Sequence, residues 1–271
     1  MSRPGLLGAY ATVVRNSLMS TFTYRAHILF QMLGSVVGIV ILWYLWKSIY
    51  AGSGQTMLRG MGFNQTFLYV ALGAALFVLM RTWAEWFISH QIRSGDIVVH
   101  FFRPYDHMAW TFADNLGMIL GNLITITVPS LVVIFLVFGA PFPDLVHWAL
   151  FLPALLQACL LSFLVDYFIG ITSFWTESIW GISAGKDVLV LLLSGAMIPL
   201  PWFPDGVRDV LLWLPFASLY NTPLSLFAGT DPVSMDIGFR LGLQTFWLAV
   251  FFFGVRAYFR IAARRLTVAG G

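Results

Sequence analysis

Six long apolar stretches divide this sequence, and short polar segments separate each stretch from the next. A transmembrane helix needs about 20 consecutive, mostly apolar residues to cross the hydrocarbon core of a bilayer. Only 10% of the residues are charged, compared with about 25% in a typical soluble domain. The sequence therefore predicts an all-α integral membrane protein with six spans, at 27–46, 67–87, 116–138, 147–168, 187–200 and 241–258. The fifth stretch, 187–200, is short for a span unless its helix begins near Trp180.

The distribution of basic residues predicts how the chain is oriented. Cytoplasmic segments of membrane proteins carry an excess of Lys and Arg. With a cytoplasmic N-terminus, eleven of these residues fall inside, and four fall outside, namely Lys47, Arg59, Arg208 and Arg240. We predict one multi-pass membrane domain, 1–271, in a bacterial cytoplasmic membrane among its lipids, with both termini in the cytoplasm and no nucleic-acid partner.

The N-terminal residues 5–24 precede the first apolar stretch. Their apolar side chains recur at helical spacing, with Arg15 and Asn16 between them. This pattern predicts an amphipathic helix that lies in the membrane interface and enters the first span at an angle. The alternative is a frayed tail.

The most polar interruption between two predicted spans is the cytoplasmic segment 91–107. Ser94 is suited to cap a helix, Asp96 would lie in its first turn, and Pro104 would end it at Arg103. The short helix would present an apolar surface flanked by polar contacts from Arg93, Asp96, Arg103 and Asp106. The apolar residues are Ile92, Ile97, Val98, Phe101 and Phe102. We interpret the segment as a surface that receives a soluble partner; the alternative is a solvated loop.

An apolar segment, 199–229, lies on the predicted outer side. Pro199, Pro201 and Pro204 would break the fifth helix. Asp205 would cap a first short helix that ends before Pro215, and residue 221 or 222 a second that ends at residue 229. Both are too short to span, and we predict a re-entrant helical hairpin that dips into the outer leaflet. The alternative is an apolar surface loop.

Two parts of the sequence together resemble the permease subunits of type-2 ABC exporters, in their six-span, daunorubicin-type branch. One is IRSGDIVVHFFRPYDHMAW after the second span, and the other is LLLSGAMIPLPWFPDGVRDVLLWLPFASLYNTPLSLFAG after the fifth. The resemblance implies that 91–107 is a coupling helix that docks on an ATPase, and that the outer hairpin gates the exit of a substrate path. The gate residues would be Pro199, Pro201, Trp202, Phe203 and Phe216.

The resemblance also implies the composition of the complex. Two permease subunits, identical or related, would assemble with two ABC ATPase subunits, and the transport would be export. This chain lacks the GxxxxGK[ST] motif of nucleotide sites. The nearest match, 181–187, has one residue too few and an Asp in place of the hydroxyl residue. We therefore predict no enzyme activity, no metal and no cofactor in this chain, with ATP and Mg²⁺ bound by the partner ATPase.

Ionisable residues inside membrane spans are costly and therefore point to function. Asp166 lies in the fourth span, where it would line the entrance of a substrate path, pair with Arg81 or Lys186, or cross a subunit interface. A carboxylate that simply reaches water is the alternative. Arg81 and Glu85 are four residues apart and would pair on one helix face as an interfacial anchor.

The spans are rich in Phe and Leu, which suits a lipid-like, drug-like or peptidic substrate. Two other functions stay open. An ion-driven secondary transporter would be expected to show inverted repeats and several midplane carboxylates. An intramembrane lipid-modifying enzyme would need a clustered nucleophile or metal set. Polar residues within spans, such as Asn122 and Gln157, are interpreted as helix–helix hydrogen bonds.

Overall fold

The computed structural model describes residues 5–103, 105–229 and 236–264, without the side chains of Phe101 and Asp236. Arg3, Pro104 and Arg265, on which the sequence analysis drew, lie outside the described residues. The described chain consists of helices and one small hairpin. The elements are α1 (Leu6–Thr21), α2 (Arg25–Ser53), β1 (Met57–Leu58), β2 (Met61–Gly62), α3 (Phe63–Met80), α4 (Ala84–Ser94), α5 (Ile97–Phe101), α6 (His107–Asn122), α7 (Val128–Val132), α8 (Leu145–Ile171), α9 (Trp180–Leu193), α10 (Asp205–Trp213), α11 (Pro215–Leu219), α12 (Asn221–Ala228) and α13 (Asp236–Ala263).

Five segments of the described chain are long and apolar enough to cross a membrane. They are the first span (Arg25–Ser53), the second (Phe63–Ser94), the third (His107–Val137), the fourth (Leu145–Phe174) and the last (Ile237–Ala263). They coincide with five of the six predicted stretches. All are longer than predicted, because polar residues at their ends continue the helices.

The remaining predicted stretch, 187–200, which is the fifth in chain order, is different in the structure. Its helix, α9, runs from Trp180 to Leu193 and has 14 residues, so it is about 21 Å long. The hydrocarbon core is about 30 Å thick. The helix begins at Trp180, as the predicted alternative has it. The boundaries 187–200 are wrong, because Asp187 lies in the middle of the helix, and 194–200 are bends and the start of a 3₁₀ turn. Gly195, with φ of +81°, takes the left-handed conformation in which the chain turns away from the helix.

The predicted N-terminal helix is confirmed as α1, which packs against α6. Ser17 Oγ donates a hydrogen bond to the carbonyl oxygen of Asp114 at 2.7 Å. A Cβ atom on Gly117 would lie 2.5 Å from the carbonyl oxygen of Val14, so the two helices approach this closely only because residue 117 is glycine. Its location in the membrane interface stays a prediction.

The first and second spans differ most in their environment. In an apolar 18-residue stretch of each span, 72% of the residues are buried in the second span, but only 6% in the first. Helix α3 lies at the centre of the core, with Phe67, Tyr69 and Leu72 fully buried, whereas Phe30 and Leu33 of the first span are exposed. The second span is thus the internal scaffold of the bundle, and the first span faces lipid or another chain.

A short hairpin that the sequence analysis did not predict joins the first two spans. Leu58 pairs with Met61 across a two-residue turn, in which Arg59 and Gly60 have φ of +49° and +82°. The hydroxyl of Tyr50 donates to the carbonyl oxygen of Met61 at 2.8 Å and lies 2.7 Å from Thr66 Oγ1. This contact fixes the hairpin to the ends of both spans.

The segment after α9 folds into three short helices, two of which match the predicted pair. Pro204, rather than Asp205, occupies the N-cap position of α10, and Asp205 lies in its first turn. Residues 221 and 222 lie within α12, which ends at Gly229 with φ of +59° as predicted. All eight residues of α12 are buried. The backbone N–H of Asn221 donates a hydrogen bond to the carbonyl oxygen of Ser194 at 3.0 Å.

Candidate functional site

The predicted coupling segment, 91–107, forms the short helix α5 between α4 and α6. The predicted cap is wrong: Ser94 is the last residue of α4, Gly95 ends that helix with φ of +81°, and Asp96 is the N-cap residue of α5. Glycine readily adopts the left-handed conformation that commonly ends a helix. Gly95 therefore ends α4 here, and Ser94 remains inside that helix instead of capping the next one. Ser94 Oγ instead donates to Asp96 Oδ2 at 2.7 Å.

The predicted docking residues do not share one surface. Ile97 is fully buried within the chain, Val98 is half-buried, and Phe102 is 84% exposed. Val99, which the sequence analysis left out, is also exposed. Arg93, Asp96 and Arg103 are exposed, and the side chain of Phe101 lies outside the described residues. Ile97 thus fixes α5 to the bundle, and the surface open to a partner is formed by Phe102 and Val99 with charged residues around them.

A chain of hydrogen bonds connects α5 to the fourth span. Gln91 contacts two imidazoles, His100 Nε2 at 3.2 Å and His107 Nε2 at 3.1 Å. The hydroxyl of Tyr167, in the fourth span, lies 2.7 Å from His107 Nδ1, and that of Tyr105 lies 3.0 Å from His100 Nδ1.

One proton arrangement satisfies every link of this chain. A neutral imidazole donates from one nitrogen and accepts at the other. Tyr167 therefore donates to His107, which donates to the Gln91 carbonyl, while the Gln91 amide donates to His100, which donates to Tyr105. Burial and the nearby Arg103 lower the pKa of His100 below its ordinary value of 6.5, and Asp96 opposes them. The neutral form of His100 that this chain requires is thus favoured.

The second span is interrupted at residues 81–83. Trp83 has φ of +60°, an uncommon value for a residue with a bulky side chain. Asn122 of the third span donates to the carbonyl oxygens of Val78 at 3.1 Å and Arg81 at 3.4 Å, and Asn115 donates to Thr82. Backbone groups freed within a bilayer need such partners. The predicted interhelical role of Asn122 is confirmed, and Gln157 likewise accepts a hydrogen bond from Thr245 at 2.9 Å.

Directly after this break lies a set of charges that we call the inner charge cluster, comprising Glu85, Asp166, Lys186 and Asp187. Lys186 Nζ lies 2.7 Å from Glu85 Oε2, 2.8 Å from Asp166 Oδ1 and 3.1 Å from Asp187 Oδ1. Ser183, one turn before Lys186 on α9, donates to Glu85 Oε1. Glu85 and Asp166 are buried, at 4% and 6% exposure. The cluster thus joins α4, the fourth span and α9 through one ammonium group.

This geometry decides between the partners predicted for Asp166 and corrects one for Glu85. Asp166 pairs with Lys186, as one of the predicted alternatives has it. Arg81 does not pair with Glu85, because the helix is broken between them. Its guanidinium lies 4.8 Å from the ring centre of Trp83 and 5.9 Å from that of Phe77. Beside the cluster is a cavity of about 50 Å³, which has room for water.

A larger cavity, of about 580 Å³, lies between the first and second spans and the end of α9. Drug-sized ligands occupy pockets of about 300–1,000 Å³. Its wall is largely apolar and carries Gln31, Gly34, Ser35 and Gly38 of the first span. Gly73 of the second span approaches the chain just after α9 so closely that a Cβ there would lie 2.6 Å from the Ala196 carbonyl oxygen.

Of the predicted gate residues in the outer segment, Trp202 packs against the first span. The ring of Trp202 packs at 4.9 Å from that of Trp46, and Phe216 is half-buried against the core. Phe203 packs with Leu200 and Leu211. Pro199 precedes the 3₁₀ turn Leu200–Trp202 that contains Pro201. Within the described residues, no group of three or more His, Cys, Asp or Glu side chains is placed to hold a metal ion.

A polytopic helical bundle with an interrupted internal span and an apolar cavity between its helices is the architecture of a membrane transport protein. The family model of the ABC-2 family transporter proteins matches residues 33–270, and the chain belongs to this family. A comparison with curated proteins returns no match. The chain is thus a multi-pass membrane protein, the permease component of an ABC transporter, and the family implies association with an ABC ATPase.

Proposed function

We propose that this chain is the permease of an ABC exporter in a bacterial cytoplasmic membrane, coupled to ATP hydrolysis in two separate ATPase subunits that bind ATP and Mg²⁺. The observation that carries the proposal is α5. This helix exposes Val99, and its C-cap residue Phe102 is exposed beside it. It is linked by hydrogen bonds to Tyr167 of the fourth span, and we predict that it lies on the cytoplasmic side, where basic residues are in excess. Movement of the ATPases would act on α5, and the chain through Gln91 would carry that movement into the bundle.

In this proposal each docking residue has a part. Phe102, Val99 and the half-buried Val98 contact an apolar groove of the ATPase. Ile97 holds α5 on the permease, and Phe101 belongs to the same short helix. Arg93, Asp96 and Arg103 make polar contacts around the groove. Exposed aromatic side chains surrounded by polar residues are typical of protein interfaces.

The docking role is tested by co-purification with the ABC ATPase produced in the same cells. We expect the ATPase to accompany the wild-type permease and to be lost with Phe102→Asp. Phe22→Asp is the matched control, because Phe22 is also an exposed aromatic residue but lies outside α5. If no ATPase accompanies the wild type, the coupling proposal fails. If Phe102→Asp retains it, the docking surface lies elsewhere.

The inner charge cluster would act as a gate at the inner end of the substrate path. Asp166 and Glu85 hold Lys186 between them, and Glu85 lies on α4, the helix that leads directly to α5. A shift of α4 would therefore separate these groups and open the inner side. We propose α9 as a membrane segment in addition to the five spans. On the outer side, α10 and α12 form the proposed re-entrant pair. The proposed gate consists of Pro199, Pro201, Trp202, Phe203 and Phe216.

The proposed substrate is lipid-like, drug-like or peptidic, and its path includes the apolar cavity of the first span. The exposed first span also supports assembly with a second permease, identical or related. The test is ATP-dependent export in proteoliposomes that contain both subunits. Gly38→Leu would fill the cavity, and Gly52→Leu is the control. A Cβ at either position meets no atom within 4 Å, but only Gly38 lines the cavity. Equal export by both variants would exclude this path.

A further inference from the structure

Three of the four basic residues on the predicted outer side meet at one cavity. Basic residues are rare on this side of a membrane protein. Arg59, Arg208 and Arg240 all line a cavity of about 330 Å³, which we call the outer arginine cavity, whereas the fourth residue, Lys47, does not line it. They come from the hairpin turn, α10 and the last span, so distant parts of the sequence supply the same charge to one place.

The hairpin holds Arg59 at this cavity in an uncommon conformation. A two-residue turn with both φ values positive ordinarily has Asn, Asp or Gly at its first position, but here an arginine has φ of +49°. The contact of Tyr50 with the Met61 carbonyl, at 2.8 Å, fixes the strand that follows the turn. Arg59 is therefore held at the rim of the cavity by a rigid element.

The remaining wall adds polar groups and leaves an excess of positive charge. Arg208 contacts Asp205 at 3.1 Å and Asp209 at 3.2 Å, and both aspartates are largely exposed. Arg240 donates to Ser225 Oγ at 3.3 Å, beside Asn221 on the buried helix α12. Of the described lining residues, three are arginines and one, Asp209, is acidic. With Asp205, which contacts Arg208, three arginines stand against two aspartates, and 3 − 2 leaves a formal charge of +1 on these residues. Exposed ion pairs such as those of Arg208 bind weakly and leave it able to contact an anion.

A second cavity, with a partly apolar wall, adjoins the outer arginine cavity. It has a volume of about 210 Å³ and shares Asp209, Leu212, Asn221 and Arg240 with its neighbour. Its own wall includes Trp213 and Phe239, whose ring centres are 5.2 Å apart. A molecule with an anionic head and an apolar part would place one in each cavity.

We propose that the outer arginine cavity binds a phosphate group. The planar guanidinium group of arginine matches the oxygens of phosphate and forms paired, charge-assisted hydrogen bonds with them. Two sources share this chemistry: the headgroup of an anionic phospholipid, whose apolar part would enter the adjoining cavity, and a free phosphate. The proposal goes beyond the proposed export function and takes from it only the orientation of the chain.

The test compares the wild type with an Arg59→Gln, Arg208→Gln double variant and a Lys47→Gln control. The full chain, with any subunits that co-purify, is placed in nanodiscs of phosphatidylcholine alone or of equal parts phosphatidylcholine and phosphatidylglycerol. Bound phosphatidylglycerol is counted by native mass spectrometry, and the melting temperature is measured with and without inorganic phosphate. We expect the double variant to bind phosphatidylglycerol about tenfold or more weakly, since two charged hydrogen-bond donors are lost, and the control to behave as the wild type.

The outcomes separate the two sources. Loss of phosphatidylglycerol binding in the double variant alone supports a headgroup site. Stabilisation of the wild type and the control, but not the double variant, by inorganic phosphate supports a site for free phosphate. If all three proteins bind phosphatidylglycerol equally and phosphate stabilises none, the proposal is overturned. Should the double variant melt early in phosphatidylcholine alone, Arg59→Gln, in an exposed turn, replaces it. The assay needs no ATP and no transport, so its failure leaves the export proposal standing.

Discussion

The inner charge cluster and the outer arginine cavity both collect ionisable groups, but their charges are balanced differently. In the inner cluster Lys186 lies within 3.1 Å of three carboxylates, and two of these are almost fully buried. In the outer cavity three arginines line an open wall with one aspartate. A buried charge needs an internal partner, whereas an excess of one sign on a cavity wall attracts ions of the opposite sign. The first arrangement holds helices together, and the second is the arrangement that the proposed phosphate site would use.

The largest effect that tests this comparison is expected from Lys186→Met. The substitution leaves Glu85 and Asp166 buried without their cation, and breaking a buried ion pair in this way costs about 3–5 kcal/mol. We expect a large loss of folded protein, measured by thermal unfolding in detergent or by fluorescence-detected size exclusion.

A matched variant distinguishes charge balance from simple damage. The triple variant Glu85→Gln, Asp166→Asn, Lys186→Met removes these three charges together. It should recover much of the lost stability, because no buried unpaired charge remains and Asp187 is 41% exposed at its side chain. A Lys186→Met protein as stable as the wild type would show that the cluster is wet and that the comparison fails.

The next largest effect is expected from Gly170→Ala, which tests how tightly the helices at the inner cluster pack. A Cβ atom at Gly170 would lie 2.8 Å from Ile88 Cβ and 3.1 Å from the Glu85 carbonyl oxygen. Overpacking of this kind costs about 1–3 kcal/mol and would separate α4 from the fourth span. Gly254→Ala in the last span is the control, since a Cβ there meets no atom within 4 Å. Equal melting temperatures for the two variants would contradict a close α4–α8 contact.

The spans were predictable because the length of an apolar run is a local property of the sequence, but the break in the second span was not. Residues 81–83 contain neither proline nor glycine. The break depends on Asn115 and Asn122 of the third span, which supply hydrogen bonds to Thr82 and to the freed carbonyl groups. Such support appears only once the helices are packed. The same break explains why the predicted Arg81–Glu85 pair is wrong, because a spacing of four residues brings side chains together only on a continuous helix.

The candidate site was predictable in its residues more than in its geometry. Asp166 was recognisable because an ionisable residue in a span is costly, but the choice of Lys186 over Arg81 depends on how the fourth span and α9 face each other. For α5, the residues Ser94, Asp96 and Pro104 predicted a short helix, although Ser94 is not its cap. Its exposed surface could not be predicted, because Ile97 is buried by contacts with the rest of the chain. The convergence of Arg59, Arg208 and Arg240 had no signal beyond their location on the outer side.

A smaller effect is expected when the hydrogen-bond chain through His100 is protonated. Burial and Arg103 lower its pKa in the folded state, so the unfolded chain takes up the proton more readily. Its contribution to stability is complete above about pH 6.5 and falls as the pH drops from there towards the folded-state pKa. The loss should be about 0.5–1.5 kcal/mol, the value of one hydrogen bond.

This pH dependence is measured by denaturant unfolding at several pH values. In His100→Gln the stability should fall less over this interval than in the wild type, whereas His90→Gln, at an exposed position, should behave as the wild type. A wild-type stability that does not change between pH 7 and pH 5, where free histidines titrate, would contradict the neutral hydrogen-bonded state of His100. His100 is connected through Gln91 and His107 to Tyr167 of the fourth span. The result would therefore also show whether this hydrogen-bond chain is complete as far as α5.

The smallest effect is expected from Arg208→Gln, and its smallness is what distinguishes the outer arginine cavity from the inner cluster. The aspartates that contact Arg208 are 81% and 64% exposed at their side chains, and such pairs contribute about 0–1 kcal/mol. In phosphatidylcholine, without an anionic ligand, the melting temperature should therefore stay close to that of the wild type. A loss as large as that of Lys186→Met would mean that Arg208 is committed to its internal partners. The charges of the outer arginine cavity would then stabilise the folded chain, as those of the inner charge cluster do. A negligible loss would mean that the charge of Arg208 contributes little to the stability of the folded chain, so that a ligand could bind it without destabilising the fold.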